Sequence, residues 1–188
     1  MNWLNTLAIV LAAFLAVFLQ SYVRGVRNLL GAQIDLLPAL MVYAGLTGGI
    51  ATIALVATLG GLWFDSLSAN PLGITVLPLF VVGLVVYRCR ELVLPGEVRA
   101  QFLLGFAASA VAPLCTVLAL LGAGAEPLLG GWSLWQWIVL SVGGAMFTPV
   151  VFFLFDRFNR AFNYQPLPET SFRPDREIKR DRGTQTDT

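Results

Sequence analysis

The chain has 188 residues, of which 57% are hydrophobic and 12% are charged, and its formal net charge is only +1. This near neutrality argues against nucleic-acid binding, and the absence of histidine removes the commonest general base and zinc ligand. Because several uncharged stretches approach the ~20 residues that a helix needs to cross hydrocarbon, the sequence predicts an all-α polytopic membrane protein.

The first predicted span runs from Trp3 to Val23, with aromatic rings near both ends, where bilayer interfaces favour them. Its alanines Ala8, Ala12 and Ala16 recur every four residues and form a predicted helix-packing face of small residues. Alanine is also common in such helices, so the spacing alone leaves open whether another helix packs there.

The uncharged stretch from Leu36 to Phe64 has two interpretations. As one helix, its 29 residues would be about 43 Å long, well beyond a hydrocarbon core of about 30 Å. As two helices, each half would be short, and the cluster of Gly45, Thr47, Gly48 and Gly49 indicates a break near the middle. The one-helix chain would have five spans and the two-helix chain six, and we predict six.

A turn after this stretch contains Asp65, the only carboxylate between Leu36 and Tyr87. An ionisable group at membrane depth is costly unless it meets water, headgroups or a partner, so Asp65 is a candidate functional residue. Two roles are open: a cap that accepts hydrogen bonds from the N–H of Leu67 or Ser68, or a charge that a partner's arginine or lysine contacts. The residues assigned to this structural turn or partner-binding site are Asp65, Ser66, Ser68, Asn70, Pro71 and Gly73.

Three more spans are predicted after the turn. They are Gly73–Tyr87 with Pro78 as a kink, Val98–Leu121 with Pro113 inside it, and a last helix that starts at Trp132, Trp135 and Trp137 and continues through Pro149 to Phe155. A basic loop from Arg88 to Arg99 and a glycine-rich connection from Gly122 to Gly131 join these spans.

The basic residues predict the orientation. Ten of the twelve lie in the Arg88–Arg99 loop or the C-terminal segment, which the positive-inside rule places in the cytoplasm. Arg24 and Arg27 would be cytoplasmic in a five-span chain and external in a six-span chain. Residues 164–188 are polar and mixed in charge, which predicts a disordered cytoplasmic tail after a transmembrane helical domain at residues 1–163.

The sequence predicts a protein that is not an enzyme, with no catalytic, cofactor or metal site. It has no nucleophile–base pair, no phosphate-binding loop and no cluster of intramembrane carboxylates or lysines. Its two cysteines, Cys89 and Cys115, indicate neither a disulfide framework nor a metal site.

Two motifs and the last helix carry a family resemblance. Asp35-Leu36-Leu37 precedes a short apolar helix and a glycine-containing break, and Leu62-Trp63-Phe64-Asp65-Ser66-Leu67-Ser68-Ala69-Asn70-Pro71-Leu72-Gly73 follows. The last helix contains Pro149 and leaves through Arg157, Arg160 and Phe162. In this layout the chain resembles the rod shape-determining MreD family, most specifically from Asp65 to Gly73. Ile34, where many members have proline, and the longer polar tail are departures.

The resemblance implies a non-catalytic scaffold of the bacterial cell-elongation complex that helps to position peptidoglycan synthesis and maintain cell shape. MreC would be its immediate partner, and MreB, RodA and a penicillin-binding transpeptidase would belong to the wider complex. It further implies six transmembrane helices in the bacterial inner membrane with both termini cytoplasmic. The implied fold is similar to that of the substrate-binding subunits of energy-coupling-factor transporters.

An alternative function is a small-molecule-binding membrane subunit of such a transporter. The face formed by Ala8, Ala12 and Ala16 is similar to the small-residue face that these subunits offer to their transmembrane partner. Against this alternative, a binder of a polar vitamin should gather several polar groups on one face, whereas the predicted spans are almost purely aliphatic.

Overall fold

A computed structural model describes residues 3–22, 31, 34–68, 71–91, 93, 97–124 and 130–162. Within these residues the chain forms no strand and six α-helices: α1 (Trp3–Tyr22), α2 (Leu37–Thr47), α3 (Ile50–Leu67), α4 (Val76–Cys89), α5 (Val98–Gly122) and α6 (Gly131–Phe162). Four of them, α1, α3, α5 and α6, are long and apolar enough to cross a membrane, and α2 and α4 are shorter apolar helices. The prediction of an all-helical membrane protein with six helices, two of them short, is confirmed.

The predicted break in the Leu36–Phe64 stretch lies at Gly48 and Gly49, so the one-helix alternative is wrong. Gly48 donates its N–H to the carbonyl of Ala44 at 2.8 Å, and a Cβ atom at this position would lie 2.6 Å from that oxygen. Glycine therefore allows α2 to end in a tight turn that a larger residue would obstruct.

The identity of the short helices differs from the prediction. We expected both halves of the Leu36–Phe64 stretch to be short, but α3 has 18 residues because it continues beyond Phe64 to Leu67. The second short helix is α4, which has 14 residues and begins at Val76 because the residues after Pro71 form a turn. Pro78 consequently lies in the first turn of α4, where its missing N–H costs no helical hydrogen bond, and the predicted kink there stays a prediction.

Contacts between helices show that successive helices alternate in direction. The hydroxyls of Thr6 and Thr52 lie 3.0 Å apart near the starts of α1 and α3, and the rings of Phe14 and Trp63 meet further along both helices. Near the end of α2, the hydroxyl of Tyr43 accepts a 3.2 Å hydrogen bond from Asn159 of α6. Because α2 ends at Thr47 and α3 begins at Ile50, the end of α2 and the start of α3 lie together. The start of α1 and the end of α6 therefore lie at the same end of the bundle.

The central element is α2, which contacts each of the other five helices. Every residue from Leu37 to Leu46 is buried, so this helix is surrounded by protein on all sides. At a rise of 1.5 Å per residue it is about 16 Å long, roughly half of a hydrocarbon core. The outer helices enclose it and expose apolar side chains such as Leu7, Leu15 and Phe153, as surfaces that face lipid do.

Helices α5 and α6 pack closely through small residues. A Cβ atom at Gly105 would lie 2.1 Å from the Oγ1 atom of Thr148, and one at Gly144 would lie 1.8 Å from the Oγ atom of Ser109. Glycine at both positions lets the two helices approach until backbone and side chain touch, as is common between membrane helices. Pro113 and Pro149 lie inside these helices as predicted, and the predicted tryptophan cluster lies in the first turns of α6. The predicted tail, residues 164–188, lies outside the described residues.

Candidate functional site

Asp65 lies in the last turn of α3 and is only 2% exposed. Its Oδ2 atom accepts hydrogen bonds from the N–H of Gly73 at 2.9 Å and the N–H of Thr75 at 3.1 Å. Its Oδ1 atom accepts a third hydrogen bond from the hydroxyl of Thr75. This carboxylate therefore closes the segment from Asp65 to Thr75, which we call the Asp65 turn, and joins the end of α3 to the start of α4.

Two glycines shape the Asp65 turn. Gly73 has a φ of +89°, a conformation that glycine adopts without the steric cost of a Cβ atom, and it directs its N–H to the carboxylate. Gly61 lies against the first residue of α4, since a Cβ atom there would be 2.9 Å from a methyl carbon of Val76. Together they bring the start of α4 close enough for Asp65 to reach Thr75.

The hydrogen bonds of Asp65 differ from the prediction. We expected the carboxylate to accept from the N–H of Leu67 or Ser68, but α3 continues through Leu67, and the N–H of Ser68 donates to the backbone carbonyl of Asp65 at 3.2 Å. The carboxylate instead accepts from residues eight and ten positions further along the chain. Thr75 was not among the predicted site residues, although threonine just before an apolar helix is a common capping residue and could have indicated it.

Two of the other predicted turn residues, Ser66 and Ser68, bond to backbone carbonyls at the end of α3. The hydroxyl of Ser66 donates to the carbonyl of Trp63 at 2.7 Å, and that of Ser68 donates to the carbonyl of Asp65 at 3.3 Å. Pro71 is exposed, and Asn70 lies outside the described residues. The outer surface of the turn also carries exposed apolar side chains, Leu67 at 60% and Leu72 at 71%.

The burial of Asp65 bears on its two possible roles. Its oxygens face the interior and are bonded within the chain, as expected of a structural cap. A partner's arginine or lysine would reach the carboxylate only if the turn opened. A partner that binds the closed turn would instead contact its outer side chains.

The predicted face of small residues on α1 lies at the edge of an internal contact. Ala16 is buried, whereas Ala8 and Ala12 are partly buried against the core. The buried side of α1 is formed by Ile9, Ala13, Ala16 and Val17, and this helix contacts α2 and α3. The small residues thus help α1 to pack within the chain.

A cavity of about 840 Å³ lies at the same end of the bundle as the Asp65 turn. It follows from unequal helix lengths, because α2 and α4 are short while α5 and α6 have 25 and 32 residues and continue beside the open space. We call it the Asp35 cavity. It is lined by Asp35, Phe64, Thr75, Leu79, Ala112, Pro113, Leu114, Thr116, Val117, Leu120, Gly130, Ser133, Leu134, Gln136, Trp137 and Leu140.

Asp35 is the acidic residue of this lining, and one of its oxygens is already bonded. Oδ1 accepts hydrogen bonds from the N–H of Leu37 at 2.9 Å and from the side-chain amide of Gln20 at 3.4 Å. Burial raises the pKa of the Asp35 carboxyl to about 6, and these two hydrogen bonds oppose that rise. No described residue bonds to Oδ2 or to the side-chain amide of Gln136.

The remaining polar groups of the lining are largely satisfied within the chain. The indole N–H of Trp137 donates to the carbonyl of Ala110 at 2.9 Å, and the hydroxyl of Thr116 donates to that of Ala112 at 3.0 Å. The hydroxyl of Thr75 donates to Asp65. The cavity was not predicted from the sequence, since it depends on how helices of different length are arranged.

No family model, curated protein or solved structure matches this chain significantly. In the described part of the chain, no group of three or more His, Cys, Asp or Glu side chains is placed to hold a metal ion. The arrangement thus consists of a closed turn with a buried carboxylate and a mostly apolar cavity with one carboxylate in its lining. These features can fix the shape of a surface and receive an apolar molecule.

Proposed function

We propose that the chain is a non-catalytic membrane scaffold of the bacterial cell-elongation complex, which binds an MreC-type partner and helps to position peptidoglycan synthesis. In this proposal it resides in the cytoplasmic membrane with its C-terminus in the cytoplasm. MreB, RodA and a penicillin-binding transpeptidase belong to the wider assembly. The proposal rests on the resemblance to the MreD family.

The observation that carries the proposal is the structure of the Asp65 turn, since the segment from Asp65 to Gly73 is also the most specific part of the resemblance. Three hydrogen bonds to one buried carboxylate hold this segment closed. The exposed Leu67 and Leu72 are thereby presented at its outer surface. A scaffold requires a surface of fixed shape because ordering a flexible segment on binding weakens the complex.

The test is recovery of MreC with this chain as bait, normalised to folded protein. Leu67→Ser and Leu72→Ser should reduce recovery at least about fivefold, because they remove apolar contact area without touching the hydrogen bonds of Asp65. Leu121→Ser is the matched control, since Leu121 is also an exposed leucine, 52% accessible, at the end of α5. If Leu67→Ser and Leu72→Ser recover as much MreC as the control Leu121→Ser, the turn has no role in assembly.

A second candidate function is the small-molecule-binding subunit of an energy-coupling-factor-type transporter. The Asp35 cavity favours it, because about 840 Å³ falls within the range of roughly 300–1,000 Å³ that is common for ligand sites. Thermal unfolding in detergent with a panel of vitamins separates the two candidates. A selective rise in melting temperature with one vitamin supports transport, and no rise with any vitamin favours the scaffold.

A further inference from the structure

We propose that the Asp35 cavity binds a small organic cation, whose ammonium group contacts the Asp35 carboxylate and whose apolar body fills the rest of the cavity. This site is separate from the outer surface of the Asp65 turn. The proposal does not depend on the scaffold function.

The first argument is the shape and chemistry of the cavity walls. The volume of about 840 Å³ accommodates one drug-sized molecule, and most of the lining is apolar, including Leu79, Leu120 and Leu140. Such walls favour a molecule with a substantial apolar body, since a fully polar ligand would lose its hydration without compensation.

The second argument is the charge of the lining. Its charged residue is Asp35, and no arginine or lysine is among the described residues that line the cavity. An anionic ligand would therefore meet a carboxylate and no compensating cation. The rings of Phe64 and Trp137 line the same space, and aromatic faces beside a carboxylate are a favourable setting for an ammonium group.

The third argument is the state of the Asp35 side chain. The N–H of Leu37 and the amide of Gln20 both bond to Oδ1 and hold the carboxylate in place, while no described residue bonds to Oδ2. Burial raises the pKa of this carboxyl, and the two hydrogen bonds to Oδ1 oppose that rise only in part. An ammonium group in the cavity would donate to Oδ2, the oxygen that no described residue bonds.

The test uses three probes that share an aromatic body and differ in charge: 2-phenylethylamine, 2-phenylethanol and 3-phenylpropanoate. Their dissociation constants are measured by saturation-transfer NMR titration of the full chain in nonionic detergent at pH 7.5. We expect the amine to bind about tenfold more tightly than the alcohol, and the anion more weakly than either. Equal affinities for amine and alcohol would overturn the proposal.

Two pairs of variants locate the binding. Asp35→Asn should abolish the preference for the amine over the alcohol, whereas Asp156→Asn, at an exposed carboxylate near the other end of α6, should leave it unchanged. Leu120→Trp should weaken all binding by filling the cavity, and Leu121→Trp, at the next residue outside the lining, should not. A preference that survives Asp35→Asn, or binding that survives Leu120→Trp in folded protein, would overturn the proposal.

An ammonium group can come from a free amine or from the headgroup of an aminophospholipid. Competition with dihexanoyl phosphatidylethanolamine and dihexanoyl phosphatidylglycerol distinguishes these sources. Displacement of the amine by the first lipid but not the second supports a lipid amine, and displacement by neither supports a free amine. Stronger displacement by phosphatidylglycerol would show a preference for anions and overturn the proposal.

Discussion

Thr75 engages both oxygens of Asp65, donating its N–H to Oδ2 at 3.1 Å and its hydroxyl hydrogen to Oδ1. The two residues are ten positions apart, and each is at most 5% exposed. Because these polar groups are buried, removal of either side chain leaves its partner without water to replace the lost bonds.

The Asp65 turn should be more sensitive to alanine than to asparagine. Asp65→Ala leaves two N–H groups and a hydroxyl without an acceptor, and each unpaired group costs about 1–3 kcal/mol. In Asp65→Asn the side-chain oxygen can still accept both N–H bonds while the amide donates to Thr75, so we expect a loss of only about 1 kcal/mol. Thermal unfolding in detergent measures both losses, and equal losses would contradict this account.

The contact between α5 and α6 should not tolerate an added methyl group. We expect Gly144→Ala to destabilise the protein by about 1–3 kcal/mol because its Cβ atom would collide with Ser109. Gly122→Ala is the control, since no atom lies within 4 Å of its added Cβ position. Ser109→Gly should restore part of the loss in Gly144→Ala, and its failure to do so in the double variant would exclude the collision as the cause.

The stability of the protein should depend on pH through Asp35. The carboxyl has a pKa of about 6 in the folded state against 3.8 in the unfolded state, so the folded state binds more protons between these values. The free energy of unfolding therefore falls as the pH rises from about 4 to about 6. The Asp35→Asn variant lacks this fall. We expect the difference in free energy of unfolding between the variant and wild type to shift by about 1–3 kcal/mol in favour of the variant from pH 4 to pH 7.5. Thermal unfolding of both proteins at the two pH values measures this shift. The same difference in stability between variant and wild type at pH 4 and at pH 7.5 would refute the prediction.

Both termini should lie on the cytoplasmic side of the membrane. The alternation of the helices places the start of α1 and the end of α6 at one end of the bundle, and the positive-inside rule assigns that end to the cytoplasm. Reporters that are active on one side only, fused ahead of Met1 and after Thr188, should give the same cytoplasmic signal. A reporter in the Gly122–Gly131 connection should give the external signal. If the two terminal reporters differ from each other, the chain crosses the membrane an odd number of times and the prediction is wrong.

Deletion of Pro166 to Thr188 should leave membrane insertion and recovery of MreC nearly unchanged. The composition of this segment cannot support a packed core, so we expect it to contribute little to stability or to a rigid interface. Recovery of MreC by the full and shortened chains, normalised to the folded amount of each, measures the effect. A loss greater than about tenfold would identify the segment as a site of interaction.

The helices and the position of the break could be predicted from the sequence because glycine clusters and long uncharged runs are local signals. The bonding of Asp65 could not, because the path of the chain through Gly73 decides that Thr75 meets the carboxylate. The start of α4 lies three residues later than the predicted Gly73, because Gly73, Ile74 and Thr75 belong to the turn that Asp65 holds. The cavity depends on the relative lengths of four helices, which no single segment reveals.

The all-round burial of α2 has a consequence for biogenesis. An apolar segment of 11 residues is too short to be retained across a bilayer on its own, so α2 can enter the membrane only together with α3 as a hairpin. Its final position does not exist until the later helices surround it, which makes the completion of synthesis a condition for its placement. A chain that stalls before α6 would leave the side of α2 that packs against α6 without its protein neighbour, so the enclosure of α2 would stay incomplete.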